Sequence, residues 1–312
     1  MTTLENDRLL EKADTALSAF TTDDGLLQPD KANKFIQEAV VSSKLLSLLR
    51  VDGMKKPEMI LPKLGISGRV AHAAEHGVAL TAAQRASLVP SGVNMTTKEF
   101  VAEIDLNDGI MEDNIERQSL WTTVKTMMSK RIGRDIQENV IEGDTTSSDV
   151  DLKAFDGMLA LATSHTHDAS TTAFSLDHGE SMMELVPEEY AEDESKLRFL
   201  TTPTLERKYR KALAARMGAL GDALLTSKRP IAVMGVPIVG IGGWPKDLHA
   251  GSSTDVILMP PKLARVGFWR QIRMEMDRDK RARTTYHIWS YRVGFMYEEE
   301  DAVAKGYDFL VS

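Results

Sequence analysis

The 312-residue chain contains no cysteine. That absence excludes disulfides, thiolate metal sites and cysteine nucleophiles together. It makes a cytosol, where disulfides bring no advantage, the expected compartment. No apolar run approaches the ~20 residues that span a bilayer. The first ten residues, MTTLENDRLL, lack the basic-then-apolar order of a signal peptide. Familiar chemical signatures are missing too. There is no H-E-x-x-H, no G-x-S-x-G, and no Gly-Lys-Ser/Thr of a phosphate-binding loop.

What is there is an ordinary globular balance, 42% apolar and 27% charged, which excludes a mostly disordered chain. The length corresponds to about two domains. The formal charge of −8 argues against a protein that coats nucleic acid. That mean hides an asymmetry: residues 151–200 hold eleven acidic and three basic side chains, and residues 262–292 hold three acidic and nine basic ones. Such separation is either a solvated surface or a pair of surfaces that meet on neighbouring subunits.

Apolar spacing then organises the chain. Leu9, Leu10, Ala13, Leu17 and Phe20 outline a short amphipathic helix, too short to be stable alone. A second helix is expected from Pro29 through Phe35, Ala39, Leu45 and Leu49, ended by Gly53 and Pro57. Residues 57–66 read as a short extended piece. Val70, His72, Ala74 and His76 alternate weakly, and Phe100, Ala102, Ile104 and Leu106 alternate cleanly. These two runs are expected to be the arms of a long hairpin over 66–108, with too little apolar material for a core of its own.

Trp121, Val124, Met128, Ile132, Ile136 and Val140 step by three or four, predicting a long helix over 113–142 that Gly143 stops. Residues 145–200 read as acidic and loop-rich. Another helix opens at Pro203, with Leu205, Tyr209, Leu213 and Met217 on one face. PIAVMGVPIVGIGG reads as an apolar strand pair broken at Gly235 and Pro237. A second long hairpin follows. Phe268, Ile272, Met274 and Met276 share a face with Arg270, and Trp289, Tyr291, Val293, Phe295 and Tyr297 share another. Its link, DRDKRAR, is a basic tip.

Candidate sites weigh against chemistry. Gly240, Gly242 and Gly243 miss the G-x-G-x-x-G register because Pro245 takes the last place, so they read as strand bends. His165 and His167, with Asp168 and His178, have zinc-ligand chemistry but no second ligand pair, and read as a solvated loop. Asp277 and Asp279 sit among basic residues and read as turn formers, and the acidic run Glu298 to Asp301 reads as solvated surface. The expectation is no catalytic, cofactor or metal site. The unusual features are architectural, and they describe a subunit completed by its neighbours.

In order and spacing, five segments resemble the major capsid protein of tailed double-stranded DNA phages, the Hong Kong 97 type. They are LQPDKANKFIQEAVVSSKLLSLLRVDGMKKPEMILPKLG, the hairpin at 66–108, and LWTTVKTMMSKRIGRDIQENVIEGD with FDGMLALA. PTLERKYRKALAARMGALGDALLTSKRPIAVMGVPIVGI and WRQIRMEMDRDKRARTTYHIWSYRVGFMYEEEDAVAKGY complete the set. The resemblance implies an α+β fold with an N-terminal arm (1–50) and a peripheral domain carrying the long spine helix (51–65, 109–150, 269–300). It also implies an extended loop (66–108) and an axial domain (151–268, 301–312). It implies a non-enzymatic subunit that forms hexamers and pentamers of an icosahedral head, assembled in the host cytoplasm around double-stranded DNA without sequence-specific contact.

Separate scaffolding and portal proteins, and in some heads decoration proteins, are the implied partners. There is no membrane partner and no cofactor. Expected interface residues are Arg85, Phe100, Arg270, Arg278, Lys280, Arg281 and Arg283, and expected spine-core residues are Trp121, Val124, Met128 and Ile132. Some members weld subunits through a lysine on the extended loop. Here 77–97 has Arg85 but no lysine, so that route is not expected. The residues before the arm helix are too few for a built-in scaffolding segment, so the resemblance implies a separate scaffolding protein or an already trimmed chain. Two alternatives stay open: an encapsulin-type compartment shell, and a soluble α+β enzyme with a site near His165 and His167.

Overall fold

The computed structural model describes residues 43–66, 70–73, 79, 81, 85, 88–107, 118–192, 194–217, 230–249 and 252–311. The helix expected near the N-terminus, and most of the next, lie outside these residues; of the latter, Lys44–Leu48 is helical, with Leu45 and Leu46 buried. The described chain forms two compact units. The described residues of the first are Ser43 and those within Lys98–Ile136 and Phe268–Val293. The second takes Lys44–Thr97, Gln137–Gly267 and Gly294–Ser312.

In chain order the strands are β1 (Arg50–Gly53), β2 (Glu58–Ile66), β3 (Leu88–Thr96), β4 (Lys98–Asn107), β5 (His165–Thr172) and β6 (Arg198–Thr201). They continue with β7 (Ala232–Val233), β8 (Val236–Gly240), β9 (Ser253–Met259), β10 (Ala264–Asp279), β11 (Thr284–Tyr297) and β12 (Ala304–Leu310). The three longer helices are α1 (Gln118–Glu142), α2 (Leu176–Leu185) and α3 (Pro203–Met217).

In the first unit, β10, β11 and β4 lie side by side. The expected basic hairpin is β10–β11. Trp289, Tyr291 and Val293 are buried on β11 as the alternation requires, and Phe100 of β4 stacks on Tyr291 at 5.5 Å. Here the pairing departs from the sequence reading. The strand 98–107 does not pair with the described residues 70–73; 74–76 lie outside the described residues. It runs antiparallel to β11, with Asn107 opposite Thr284 and Lys98 opposite Val293. The hairpin arms are instead β2 and β3, paired from Glu58–Thr96 to Ile66–Leu88. The alternation of 98–107 correctly marks one buried face, but a period of two carries no information about which strand lies alongside.

Of the spine helix, α1 (Gln118–Glu142) lies among the described residues and is ~38 Å long at 1.5 Å per residue; the expected start at 113 lies outside them. Ile132, Ile136 and Val140 are buried, and Val124 and Met128 are half-buried. Trp121 lies on the helix, but its side chain is outside the described atoms. The helix ends at Gly143 for a reason other than a left-handed cap. The backbones of Gly143 and Gly157 touch: the N–H of Gly157 donates to the Gly143 carbonyl at 2.7 Å. A Cβ on Gly157 would sit 2.7 Å from the Val140 carbonyl oxygen and 2.8 Å from that of Asn139. Gly157→Ala is therefore expected to cost about 1–3 kcal/mol in urea-induced unfolding, because backbone must move.

The second unit is built on a six-stranded sheet in the order β5-β12-β9-β6-β8-β7. β9 is buried at every position, as a central strand covered on both faces must be. Phe174 sits at the middle of the core, its ring 5.3 Å from Tyr209, 5.3 Å from Phe309 and 6.0 Å from Phe199, each pair edge-on. Helix α3 starts where expected: Pro203 takes the first turn and the Thr202 hydroxyl accepts the N–H of Leu205 at 3.1 Å. Leu205 and Tyr209 are its buried stripe. The strand pair in PIAVMGVPIVGIGG is β7–β8. Its two-residue turn has positive φ at Met234 (48°) and Gly235 (88°), the geometry that suits a twisted hairpin.

Candidate assembly surfaces

Three regions of the second unit correct the sequence reading. The histidine stretch is not a loop but the edge strand β5, parallel to β12 with Ala304 opposite His165 and Gly306 opposite His167. His167 Nε2 lies 3.0 Å from His178 Nδ1, and His178 Nε2 lies 2.9 Å from the Thr172 hydroxyl, which donates to the Ala169 carbonyl at 2.6 Å. Since that hydroxyl's proton is used, His178 Nε2 carries hydrogen and its Nδ1 accepts from His167. The arrangement ties β5 to α2. Desolvation, with the His167 charge second, lowers the His178 pKa, which keeps this neutral chain intact. Among the described residues no group of three or more His, Cys, Asp or Glu is placed to hold a metal ion.

The acidic run is likewise not free surface. Glu298 pairs with Arg265, and Arg50 Nη1 lies 3.9 Å from it. Arg265 also donates to Asp52 at 2.8 Å. Glu299 accepts the Tyr190 hydroxyl and lies 3.5 Å from Lys63 Nζ. Glu300 accepts the backbone N–H of Thr163 at 2.8 Å and of Ser164 at 2.7 Å, capping the start of β5. Together these bonds fix the ends of β1, β2 and β11 to one another within the unit. No local pattern announces them, because the partners are 213 residues apart in the case of Arg265 and Asp52. The third correction concerns the glycines. Gly240 closes β8, where its N–H donates to Glu206 at 3.0 Å, and Gly243 (φ 82°) makes the following turn.

One carboxyl in this unit is perturbed strongly. Burial, and then the charges of Glu138 and Asp247, push Glu142 up to about 7 from an ordinary 4.5. The folded state thus holds a proton that the unfolded chain releases near 4.5. The associated stability is present below about 4.5 and is lost as pH rises through about 7. The melting-temperature advantage of Glu142→Gln over the parent is expected to grow across that interval and then level off. A difference that does not change with pH would assign Glu142 no such role.

The surfaces that project are of two kinds. On β2 the alternate residues Ile60 and Leu64 are 65% and 74% exposed, an apolar pair facing solvent on a two-stranded hairpin. Arg85 is exposed in the stretch between β2 and β3, most of which lies outside the described residues. In the first unit Arg270 is held within the chain: its guanidinium bonds Glu99 and, at 2.9 Å, the Ser290 hydroxyl. Arg292 holds the other oxygen of Glu99 at 2.7 Å and lies over the Trp269 ring at 4.6 Å. Arg278, Lys280, Arg281 and Arg283 are exposed at the β10–β11 turn. There the Asp279 carboxylate accepts the N–H groups of Arg281 and Ala282, the turn chemistry expected of it.

The long helix, the long basic hairpin and the six-stranded sheet are the parts of the Hong Kong 97 fold. Solved structures carry the same fold at low identity. The chain is similar to the capsid of a native GTA particle (14% identity, TM-score 0.63, 86% of this chain and 90% of that one). It is similar to the procapsid of satellite phage P4 (12%, TM-score 0.62, 96% and 97%). The SrpI encapsulin of Synechococcus elongatus PCC 7942 also shares the fold (13%, TM-score 0.58, 86% and 88%). No protein-family model matches.

Among curated proteins the chain is 34% identical, over 307 residues, to a Bacillus subtilis (strain 168) protein that carries the name of a prophage capsid protein, YqbE. The match spans 97% of this chain and 98% of that one. The chain belongs to this prophage capsid protein family, and its role is that of a structural capsid subunit.

Proposed function

We propose that many copies of this chain close into hexamers and pentamers of an icosahedral phage head that encloses double-stranded DNA. The observation that carries this reading is the 34% identity to a prophage capsid protein along nearly the whole of both chains. In this reading the first unit is the peripheral domain, the six-stranded unit is the axial domain, and β2–β3 is the base of the extended loop. Assembly takes place in the host cytoplasm with separate scaffolding and portal proteins. The mechanism is burial: each projecting hairpin covers a neighbour, and shell stability is the sum of many such contacts. A chain of net charge −8 suits a container wall to which densely packed DNA must not adhere.

Electron microscopy of the purified chain, co-expressed with a scaffolding protein, tests the proposal. Capsomer rings and closed shells are expected; a uniform population of monomers under all conditions overturns it. The shared fold with an encapsulin keeps one other reading in view. Shells that hold a single co-purifying protein in place of nucleic acid would decide for that compartment.

A further inference from the structure

Among the described residues, strand β4 ends its sheet. Its solvent-facing residues are Glu99, Val101, Glu103 and Asp105. Glu99 is occupied by Arg270 and Arg292. Glu103 and Asp105 are exposed, and neither is ion-paired among the described residues; Val101 beside them is 62% exposed. The β10–β11 turn of the same unit shows the opposite condition. Of the two carboxylates beside it, Asp279 accepts backbone N–H groups of the turn and Asp277 is exposed. Lys280, Arg281 and Arg283 are exposed, with no ion pair among the described residues.

These two patches do not satisfy each other within one chain. Glu103 lies opposite Ile288, four strand residues beyond Thr284, where the turn ends. At about 3.4 Å per residue that is ~14 Å along the strand; Asp105, opposite Tyr286, is ~7 Å along it, and among the described residues neither carboxylate is ion-paired with the turn. An open acidic edge with an apolar residue in it and an uncovered basic tip are complementary surfaces on one kind of molecule.

We infer that the basic tip of one copy (Lys280, Arg281, Arg283) seats on the outer β4 edge (Glu103, Asp105, around Val101) of a neighbouring copy. The occupant is thus a second copy of this chain. The contact joins two different patches, so it is heterologous, the type of contact from which rings of copies are built. It also covers the exposed Val101 on that face of β4. This inference deepens the shell reading and rests on it.

Charge exchange tests it. In low salt, K280E/R281E/R283E and, separately, E103K/D105K are expected to reduce the yield of assembled particles about tenfold or more, and the loss should shrink as added salt screens the contact. The chain carrying all five reversals is expected to return to within about twofold of the parent. Unassembled subunits of each variant should melt as the parent does, which separates assembly from folding.

The absence of native cysteine permits a second measurement. K280C/E103C shells treated with a mild oxidant should give a ladder of covalent multimers on a non-reducing gel, beyond any dimer formed by either single variant. Particles that assemble normally despite tip reversal, five reversals that do not restore assembly, or shells without the ladder would each overturn the contact. Tip reversal that leaves particle yield intact but abolishes retention of DNA would assign the tip to nucleic acid instead. Failure of the parent chain to form any particle would overturn the shell reading itself, a distinct outcome.

Discussion

Phe199→Ala is expected to lower the unfolding free energy of the six-stranded unit by about 3–5 kcal/mol. Phe199 is fully buried on β6, between β8 and β9, and its ring meets Phe174 edge-on. Phe174 in turn touches Tyr209 of α3 and Phe309 of β12. Removing the ring loses its burial and leaves a cavity at the centre of an interlocked aromatic group, where strands hydrogen-bonded on both sides cannot close in. Urea titration of the unassembled subunit measures the effect. A loss below about 1 kcal/mol would mean that the core repacks freely and that the aromatic group is not its anchor.

Arg265→Ala is expected to cost about 2–4 kcal/mol, for a different reason. The guanidinium stands between two carboxylates, Asp52 and Glu298, and is itself largely shielded from solvent. Its removal leaves two negative groups facing one another, with Arg50 as the remaining cation near both among the described residues. Their partial exposure moderates the penalty. Arg265→Met keeps much of the packed stem, so a similar loss from both variants identifies charge as the cause, whereas rescue by methionine assigns the effect to packing. Because the same bonds fix β1 and the end of β11, Arg265→Ala subunits should also assemble poorly at temperatures where they are still folded. Unaltered assembly there would limit Arg265 to stability.

Much of this architecture was legible in the residues. The three-and-four spacing of Ile132, Ile136 and Val140 marked the buried side of α1. Pro203, Leu205 and Tyr209 marked the start and stripe of α3, and Trp289, Tyr291 and Val293 marked the buried face of β11. The basic turn of β10–β11 was visible as composition. Harder to see were Asp52, Arg265 and Glu298, which carry no shared local signal. Glu298, Glu299 and Glu300 looked like solvated surface because a run of carboxylates usually is; here each has a partner from a distant segment. His165 to Thr172 looked like a loop because Ser, Thr, Asp and His favour loops. The stretch becomes a strand because β12 offers it a parallel edge and α2 a histidine partner.

The sequence by itself determined the buried faces of α1, α3 and β11, since helix and strand periods are local consequences of backbone geometry. Family membership likewise follows from the residues, through identity along nearly the whole chain. Only the tertiary structure decided neighbours: that 98–107 lies on β11, that 58–66 pairs with 88–96, and that Glu103 stands apart from the basic turn. The physical reason is that alternation specifies a face, while a strand's partner is chosen by the free energy of the whole assembled sheet, to which residues far apart in the chain contribute together.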